Sequence, residues 1–336
     1  MKLGKLPPDL LRSLLSQVPA DPRVVVGPRV GEDAAVISFG QGLLVAKTDP
    51  ITFATEHIGW YAVQVNANDI AVMGGEPRWF LAAVLLPEGA SPEMAEAIFH
   101  QVDSACRSLG IALVGGHMEV TQGLSRPIVV GSMLGEATPD TLVPSSGARK
   151  GDDVILTEGI AIEGTAALAL EHGPLLAARG ADPALVRRAA QYLFDPGISV
   201  VEDARVARRA GRVHAMHDPT EGGLATGLWE LAQASGLGLE VDLGQVLVLP
   251  ETGELCELLG IDPLGLLASG ALILTCPPEA TQAILSAYED AGISAAVIGR
   301  MVEPDKGFRA VGPAGERPLP LFPRDELARW LEEEKS

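Results

Sequence analysis

The sequence has few cysteines, few basic residues and no long apolar run, and each shortage excludes a class of protein. Its three cysteines, Cys106, Cys256 and Cys276, are scattered, odd in number and without a metal-binding spacing, so we expect reduced, mostly buried thiols. No apolar stretch approaches the roughly 20 residues of a membrane span. Residues 1–5 lead into no signal-peptide core. These absences predict a cytoplasmic protein without membrane contact.

The charge balance excludes a second class of partner. The chain has 25 Lys and Arg against 44 Asp and Glu, a net charge of −19. A nucleic-acid surface would need clustered Lys and Arg, so we expect no nucleic acid. An anionic ligand such as a nucleotide would need a bound cation to enter an acidic site. With 47% hydrophobic residues, the 336-residue chain is long enough for two folded domains.

One stretch, residues 66–77, dominates the first half of the chain. The run before it, residues 58–65, is apolar nearly all round at helical spacing, which predicts a buried helix. Gly74 and Gly75 end this helix, and Pro77 prevents it from resuming. A buried helix therefore carries several amide side chains and one carboxylate.

The polar residues of this helix admit two interpretations. Asn66 and Asp69 lie three apart and share one face, while Gln64 and Asn68 share another. They can cap the helix and bond to one another, or Asp69 can point into a ligand site. Because caps belong at helix ends and these residues precede the last turn, we favour a divalent cation with phosphate at Asp69.

Two further acids stand beside predicted strands. Asp33 precedes a strand predicted over residues 34–38, and Asp49 follows one predicted over residues 43–47. Either acid alone is most often a turn former. Together with Asp69, they give three acids at the ends of elements within about forty residues. Mg2+ is usually bound by such carboxylates together with the phosphates of a substrate. The sequence therefore predicts an Mg2+ site at Asp33, Asp49 and Asp69.

A glycine pair follows another predicted strand, residues 111–114. Gly115 and Gly116 would let backbone amides approach a phosphate closely, although a plain tight turn has the same sequence. His117 alone would most often be an ordinary surface or core histidine. If the strands bring it near the three acids, it becomes a phosphate contact.

The remaining pattern of the first half predicts an α+β domain. A strand over residues 79–86 is followed by a helix from Pro92 to Leu109, capped by Ser91, and by a strand over residues 127–134. The first of these strands is apolar on both faces, which one helix layer cannot cover, so we expect a symmetric dimer. Small, flexible and charged residues from 144 to 151 predict a domain boundary.

The second half has one informative stretch, in which a strand runs into Asp218-Pro219-Thr220. Gly222 and Gly223 then precede an amphipathic helix that ends at Gly236, and such a helix start favours anions. It is not a P-loop, since no Gly-Lys-Ser/Thr follows. The charged C-terminal helix predicted over residues 324–335 is interpreted as a solvated face. Other strands are predicted over residues 153–157, 271–274 and 295–298, and helices over 183–193, 200–210 and up to 291.

Taken together, these stretches resemble the aminoimidazole-ribonucleotide synthase superfamily. It includes thiamine-monophosphate kinase, selenophosphate synthetase and the hydrogenase-maturation dehydratase HypE. The resemblance is carried by segments 31–37, 48–49, 66–77, 115–116 and 217–223, which occur in the family's order. The His-Asp-Pro-Thr turn followed by two glycines is most similar to HypE, whereas the kinase branch has Ser-Asp-Gly there.

The resemblance implies a two-domain PurM-like fold of the α+β class with an ATP site. The N-terminal domains of two subunits would pair into a dimeric β-barrel, and the C-terminal domain would be an α/β sandwich. ATP would phosphorylate an oxygen of an amide-like or phosphate acceptor, which the sequence does not name. Asp33, Asp49 and Asp69 match positions that hold Mg2+ and ATP phosphates. The implied catalytic residues are Asp69, His117 and Asp218, and the implied nucleotide-binding residues are Gly31, Glu32, Asp33, Asn66, Gly115, Gly116, Thr220, Gly222 and Gly223.

Two departures from the family pattern limit what carries over. The family often has Asp or Glu after the glycine pair, where this chain has His117, which puts the number of metal ions in doubt. HypE ends in a reactive cysteine, whereas this sequence ends in residues 331–336 without one, so we expect any acceptor to be a separate molecule.

We expect three segments: an ATP-binding domain over 1–144, a second PurM-like domain over 145–312 and a tail helix over 313–336. Two alternatives to phosphoryl transfer remain open. One is a nucleotide-binding maturation or scaffold factor without turnover. The other is thiamine-monophosphate kinase activity, which the His-Asp-Pro-Thr turn disfavours.

Overall fold

The structure is a computed structural model that describes residues 6, 8–29, 31–312 and 315–334. The expectations that rest on residues 1–5 and on residues 335 and 336 lie outside this described part. Among the described residues, no helix combines the length and the apolar character needed to cross a membrane.

The first half forms a six-stranded open sheet in the order β1-β2-β3-β6-β4-β5, with helices packed on one face. Only the β4–β5 pair is parallel. Its elements are α1 (Pro8–Leu15), β1 (Val24–Val26), β2 (Ala35–Phe39), β3 (Gly42–Ile51), α2 (Ile58–Val72), β4 (Glu76–Pro87), α3 (Pro92–Ser108), β5 (Ala112–Thr121) and β6 (Ile128–Ala137). Ser91 caps α3 by accepting a hydrogen bond from the amide of Met94, as predicted.

Helix α2 is the centre of the molecule. All of its residues except Trp60 are buried, which confirms the prediction of a buried helix. It lies close against β6 because that strand has glycines on the facing side: a Cβ at Gly131 would come within 2.4 Å of Asn66 Nδ2. On its other side α2 contacts α6 (Val201–Ala210) and β8 (Ala215–His217), so one hydrophobic core continues from the first half into the second.

The second half forms a seven-stranded open sheet in the order β13-β12-β9-β11-β7-β10-β8. Pairing is antiparallel except between β9 and β12. Its other elements are β7 (Asp153–Thr157), α4 (Ile162–Ala178), α5 (Pro183–Gln191), α7 (Gly223–Ser235), β9 (Gly238–Asp242), α8 (Pro250–Leu259), β10 (Ile273–Cys276), α9 (Pro278–Ala291), β11 (Ala295–Val302), β12 (Phe308–Val311), β13 (Arg317–Pro318) and α10 (Glu326–Glu333).

Several predicted strand ends are wrong, and two of them bear on the candidate residues. Strand β3 does not stop before Asp49 but continues to Ile51, and it pairs with β6 along its whole length. Strand β5 does not open into a turn at Gly115 and Gly116 but runs through both to Thr121 beside β4. In both places, pairing with a neighbouring strand extends the strand beyond its apolar part.

The C-terminal helix is also placed differently from the prediction. The sequence predicts a solvated face for α10, but Leu327, Ala328 and Trp330 are buried, and Leu327 and Trp330 belong to a core that α4, α5 and α8 share. Arg329 bonds the carbonyl of Gly260, and Arg179 pairs with Glu334. The charges along one side of α10 therefore make contacts to the rest of the chain, while its apolar side packs inward.

Candidate functional site

The candidate site begins at Asp33, which lies between the two halves of the chain. The carboxylate of Asp33 accepts a hydrogen bond from Ser145 Oγ at 2.8 Å and contacts His217 Nδ1 at 2.7 Å. Ser145 belongs to the connection between the halves, and His217 ends β8 of the second sheet. All three side chains are buried. Asp33 is thus held by groups far from it in sequence.

His217 is fully engaged by two carboxylates. Its Nε2 contacts Glu230 Oε2 at 3.1 Å, while its Nδ1 contacts Asp33. Burial opposes protonation of the imidazole, but Asp33 and Glu230 outweigh it and raise the pKa of His217 well above its ordinary value. A histidine with both nitrogens used in this way is an imidazolium and offers no lone pair to a metal.

Lys47 connects the other two predicted metal ligands. Its ammonium lies 3.1 Å from Asp69 Oδ1 and 3.4 Å from Asp49 Oδ2, and its side chain is 20% exposed. Burial would lower the pKa of Lys47, but these carboxylates outweigh burial and raise it, so Lys47 stays charged. A fixed positive charge therefore stands between Asp49 and Asp69.

Two buried carboxylate oxygens of the site, Asp69 Oδ2 and Asp218 Oδ2, have no hydrogen-bond partner among the described residues. Burial raises the pKa of Asp69 well above its ordinary value, and Asp218 and Asp49 add to the effect while Lys47 opposes it. Burial likewise raises the pKa of Asp218 to about 7. Buried acceptors without partners are costly, so their retention points to a ligand.

The residues present fit Mg2+. Oxygen atoms of Asp33 and Asp218 and a ring nitrogen of His217 lie within 4.8 Å of one another, but His217 is already used by carboxylates. The available donors are therefore carboxylate oxygens, which a hard cation prefers over a set with imidazole or thiolate. Asp69 lies near enough for the charges of Asp218 and Asp33 to act on it, and Lys47 links Asp69 to Asp49.

The two asparagines of α2 have separate roles. Asn66 Oδ1 accepts from the backbone amide of Asp49 at 2.9 Å, so it positions that acid. Asn68 instead donates to the carbonyl of Ile198 and accepts from the amide of Val200, which fixes the chain before α6. Asn66 therefore holds the backbone of Asp49, and Asn68 holds the two halves together.

The loop before β2 places the remaining predicted residues of the first half. Gly31 has a φ of +89°, and a Cβ there would lie 3.1 Å from the carbonyl oxygen of Glu230, so the loop passes close to α7. Glu32 is half-buried, its Oε2 has no hydrogen-bond partner among the described residues, and burial raises the pKa of Glu32. Both residues therefore lie beside Asp33 at the site's border.

The predicted anion-binding start of α7 is already occupied by the chain's own carboxylate. The amide of Gly222 donates to Asp325 Oδ2 at 2.7 Å, and the amide of Gly223 donates to the carbonyl of Thr220. Asp325 also caps α10 by accepting from the amide of Leu327. Asp325, supplied by the segment just before α10, therefore already accepts from one of the amides at this helix start.

The structure separates His117 from the acids of its own chain. Strand β5 is the edge of the sheet, three strands from β3, or about 14 Å at ordinary strand spacing. The register across the sheet aligns Gly116 with Asp49, so both residues face the same side. His117 follows Gly116 by one residue and therefore lies on the opposite face of the sheet. Its side chain is 70% exposed and contacts Glu119. The expectation that His117 joins the cluster within one chain is wrong.

Three contributors to the site escaped the sequence reasoning: Lys47, Ser145 and Glu230. A signal existed for Lys47, because it is the single charged residue of the predicted strand over residues 43–47 and stands two residues before Asp49. Ser145 and Glu230 carry no such signal, since a serine in a flexible connection and a glutamate on an amphipathic helix are ordinary.

The comparisons with known proteins cover most of the chain. The family model described as "AIR synthase related protein, N-terminal domain" matches residues 31–137, and that of the C-terminal domain matches residues 149–312. The carbamoyl dehydratase HypE of Rhizobium leguminosarum bv. viciae is 30% identical over 289 residues, which cover 83% of this chain and 79% of that protein. Two solved structures share the fold. The hydrogenase maturation protein HypE in complex with ATP has a TM-score of 0.68 and 24% identity, covering 95% of this chain and 91% of that one. AaThiL complexed with AMPPCP and TMP has a TM-score of 0.71 and 22% identity, covering 94% of each chain.

Proposed function

The chain belongs to the AIR synthase related family, and we propose that it is an ATP- and Mg2+-dependent enzyme that phosphorylates an oxygen of an amide-like or phosphate acceptor. The observation that carries the proposal is the pair of buried carboxylate oxygens of Asp69 and Asp218 that have no hydrogen-bond partner among the described residues. The similar HypE structure that holds ATP supports the choice of nucleotide.

In this proposal Asp33, Asp49 and Asp69 hold Mg2+, which when bound neutralises charge on the phosphates. Asn66 positions Asp49, and His217 and Ser145 hold Asp33. Asp218, whose pKa of about 7 suits proton transfer near neutral pH, is our candidate acid or base for the acceptor oxygen.

Lys47 bears on the number of metal ions. Its ammonium lies between Asp49 and Asp69 and already supplies one positive charge to the cluster. We propose that this charge takes the place of one divalent cation, so that the site binds a single Mg2+ with the nucleotide.

We also propose a homodimer in which the first sheets of two subunits pair into a β-barrel. Strand β5 is an exposed edge, and Val114, Met118 and Val120 on it are at least 38% exposed. On the face of β4 away from α2, Trp79 and Leu81 are only half-buried. In such a dimer Gly115, Gly116 and His117 lie at the pairing edge. Light scattering at micromolar concentration tests it, and a monomer would contradict it.

The three segments 1–144, 145–312 and 313–336 remain our proposed division of the chain. Ser145, the first residue of the second segment, donates a hydrogen bond to Asp33 of the first segment, so the proposed site uses residues from both sides of this boundary. The contact between Asp325 and Gly222 ties the tail helix to the second segment.

Nucleotide binding is tested first, and turnover is tested second. Thermal shift with ATP and Mg2+ should raise the melting temperature, because a ligand bound only to the folded state stabilises it. The same titration with EDTA should give a smaller shift, since the acidic site needs the cation. Absence of any shift with Mg2+ present would refute the proposed nucleotide site.

Acceptor-stimulated release of ADP then separates the enzyme from its main alternative. Candidate acceptors with an amide or phosphate oxygen are screened for increased ADP formation. Nucleotide binding without turnover across the whole set would favour a maturation or scaffold factor. Stimulation by thiamine monophosphate alone would identify the kinase alternative.

A further inference from the structure

A basic cavity lies apart from the acidic site, where the connection between the halves meets α6 and the start of β8. Its volume is about 460 Å3. Four arginines from three segments line it: Arg149, Arg208, Arg209 and Arg212. The acidic residue of its lining is the exposed Asp140, so its formal charge is strongly positive in a chain of net charge −19.

Two polar groups of the lining are buried without partners. Within the described residues, Arg208 Nη1 and His214 Nε2 form no hydrogen bond. The His214 side chain is only 7% exposed, and its other ring nitrogen is held by both oxygens of Asp152 at 2.9 and 3.0 Å. Its orientation is thereby fixed. The free Nε2 can accept from a phosphate hydroxyl or, as an imidazolium, donate to a phosphate oxygen.

Helix stabilisation explains only part of this cluster. Arg208 and Arg209 lie in the last turn of α6, where positive charge interacts favourably with the helix dipole. Arg149 and Arg212 lie outside that helix, yet they line the same cavity. In the part of the chain that the structure describes, none of the four arginines forms an ion pair, although this chain is rich in acids. The acids near the cluster are Asp140 in the lining, Asp152 behind His214, and Glu76, whose charge acts on Arg208, so the four arginines outnumber them.

The cavity is separate from the proposed nucleotide site. His214 immediately precedes β8, and His217 and Asp218 stand at the other end of that strand, about 10 Å away at ordinary strand rise. The two sites also differ in chemistry. The acidic site needs a metal ion before it can take a phosphate, whereas the arginines can bind one directly.

We propose that this cavity binds a phosphorylated small molecule without a metal ion. The planar guanidinium fork matches phosphate oxygens in pairs, and four of them suit a ligand with at least two anionic groups. The volume falls within the range of small-molecule pockets and exceeds what inorganic phosphate alone would fill. This inference is independent of the proposed function.

The test is calorimetric titration with inorganic pyrophosphate in EDTA, which keeps the acidic site from contributing. The wild-type chain and Asp69→Asn should bind equally. Arg208→Gln should weaken binding about tenfold or more, as expected for loss of a charged hydrogen bond. The exposed Arg212→Gln should weaken it as well, and its fold is at little risk. Arg187→Gln, which removes an exposed charge on α5 outside the cavity, is the matched control and should bind as wild type.

Two results would overturn the proposal. One is the absence of pyrophosphate binding to the wild-type chain up to about 10 mM, which corresponds to negligible affinity. The other is unchanged affinity in both Arg208→Gln and Arg212→Gln while circular dichroism shows that they are folded. Loss of binding in Asp69→Asn but not in the arginine variants would place the anion in the acidic site instead.

Discussion

Replacing Lys47 with methionine tests the charge balance of the site most directly. Methionine keeps most of the length of the apolar stem and removes the ammonium that lies 3.1 Å from Asp69 and 3.4 Å from Asp49. The Asp69 side chain is 7% exposed, so its carboxylate would lose its nearby positive charge in a place that water barely reaches. Lys47→Arg is the control that keeps the charge.

The expected loss of stability follows from these contacts. Removing one partner of a buried ion pair costs about 3–5 kcal/mol when the other charge cannot escape. Here Asp69 can take up a proton, because burial already raises its pKa, and the Asp49 side chain is 37% exposed. We therefore expect a loss of about 1–3 kcal/mol without Mg2+, which lowers the melting temperature by about 1–4 °C in a chain of this size.

Mg2+ should then rescue the variant. Without Lys47 the acids are free for a cation, so saturating Mg2+ should raise the melting temperature of Lys47→Met by more than that of the wild-type chain. Differential scanning fluorimetry across an Mg2+ series, with Na+ at matched ionic strength, measures this difference. A variant as stable as wild type, with no larger response to Mg2+, would show that Lys47 does not act as the site's internal cation.

Four further outcomes are expected. Asp69→Asn should keep the fold but weaken Mg2+-ATP binding by more than about 1 kcal/mol, and unchanged calorimetric affinity would remove Asp69 from the site. Because burial raises the pKa of Asp218 from 3.8 to about 7, the folded state holds a proton that the unfolded chain has lost. The free energy of unfolding should therefore fall as pH rises through that window, and Mg2+-nucleotide binding should strengthen. Asp218→Asn should flatten both slopes, and slopes of the opposite sign in the wild-type chain would contradict this. Asp325→Ala leaves the amides of Gly222 and Leu327 without their acceptor and should cost about 2–4 kcal/mol in urea unfolding; wild-type stability would show that the contact is weak. Burial raises the pKa of Cys106 and Cys256 to about 12, and burial also shifts the pKa of Cys276 upward. A folded variant with all three replaced by serine should therefore keep its turnover; complete loss would implicate a thiol.

The parts of the fold that local sequence determines could be predicted. Helix α2 is marked by its apolar run and by the glycines after it, and α3 by Ser91 and Pro92 at its start. Strand β7 has the predicted bounds, residues 153–157, around the apolar run of residues 154–156. Glycine and cap signals act within a few residues, which is the range over which a single sequence is informative.

The contacts that complete the site could not be predicted because they join distant residues. Asp33 meets His217 across 184 positions and Ser145 across 112, and Asp325 reaches Gly222 across 103. No local pattern encodes such a partner. The ends of β3 and β5 were misjudged for a related reason, since their polar residues are held in strands by neighbours that pair from elsewhere in the chain.

The placement of α2 has a consequence for how the chain is made. One face of this helix is covered by its own sheet, but another is covered by α6 and β8, which follow it by well over a hundred residues. During synthesis at about 5–20 residues per second, α2 therefore waits on the order of ten seconds with an apolar face uncovered. Contacts of such long range also close slowly, because the loop entropy is lost before the contact forms. The core around α2 can therefore be completed only after β8 has left the ribosome.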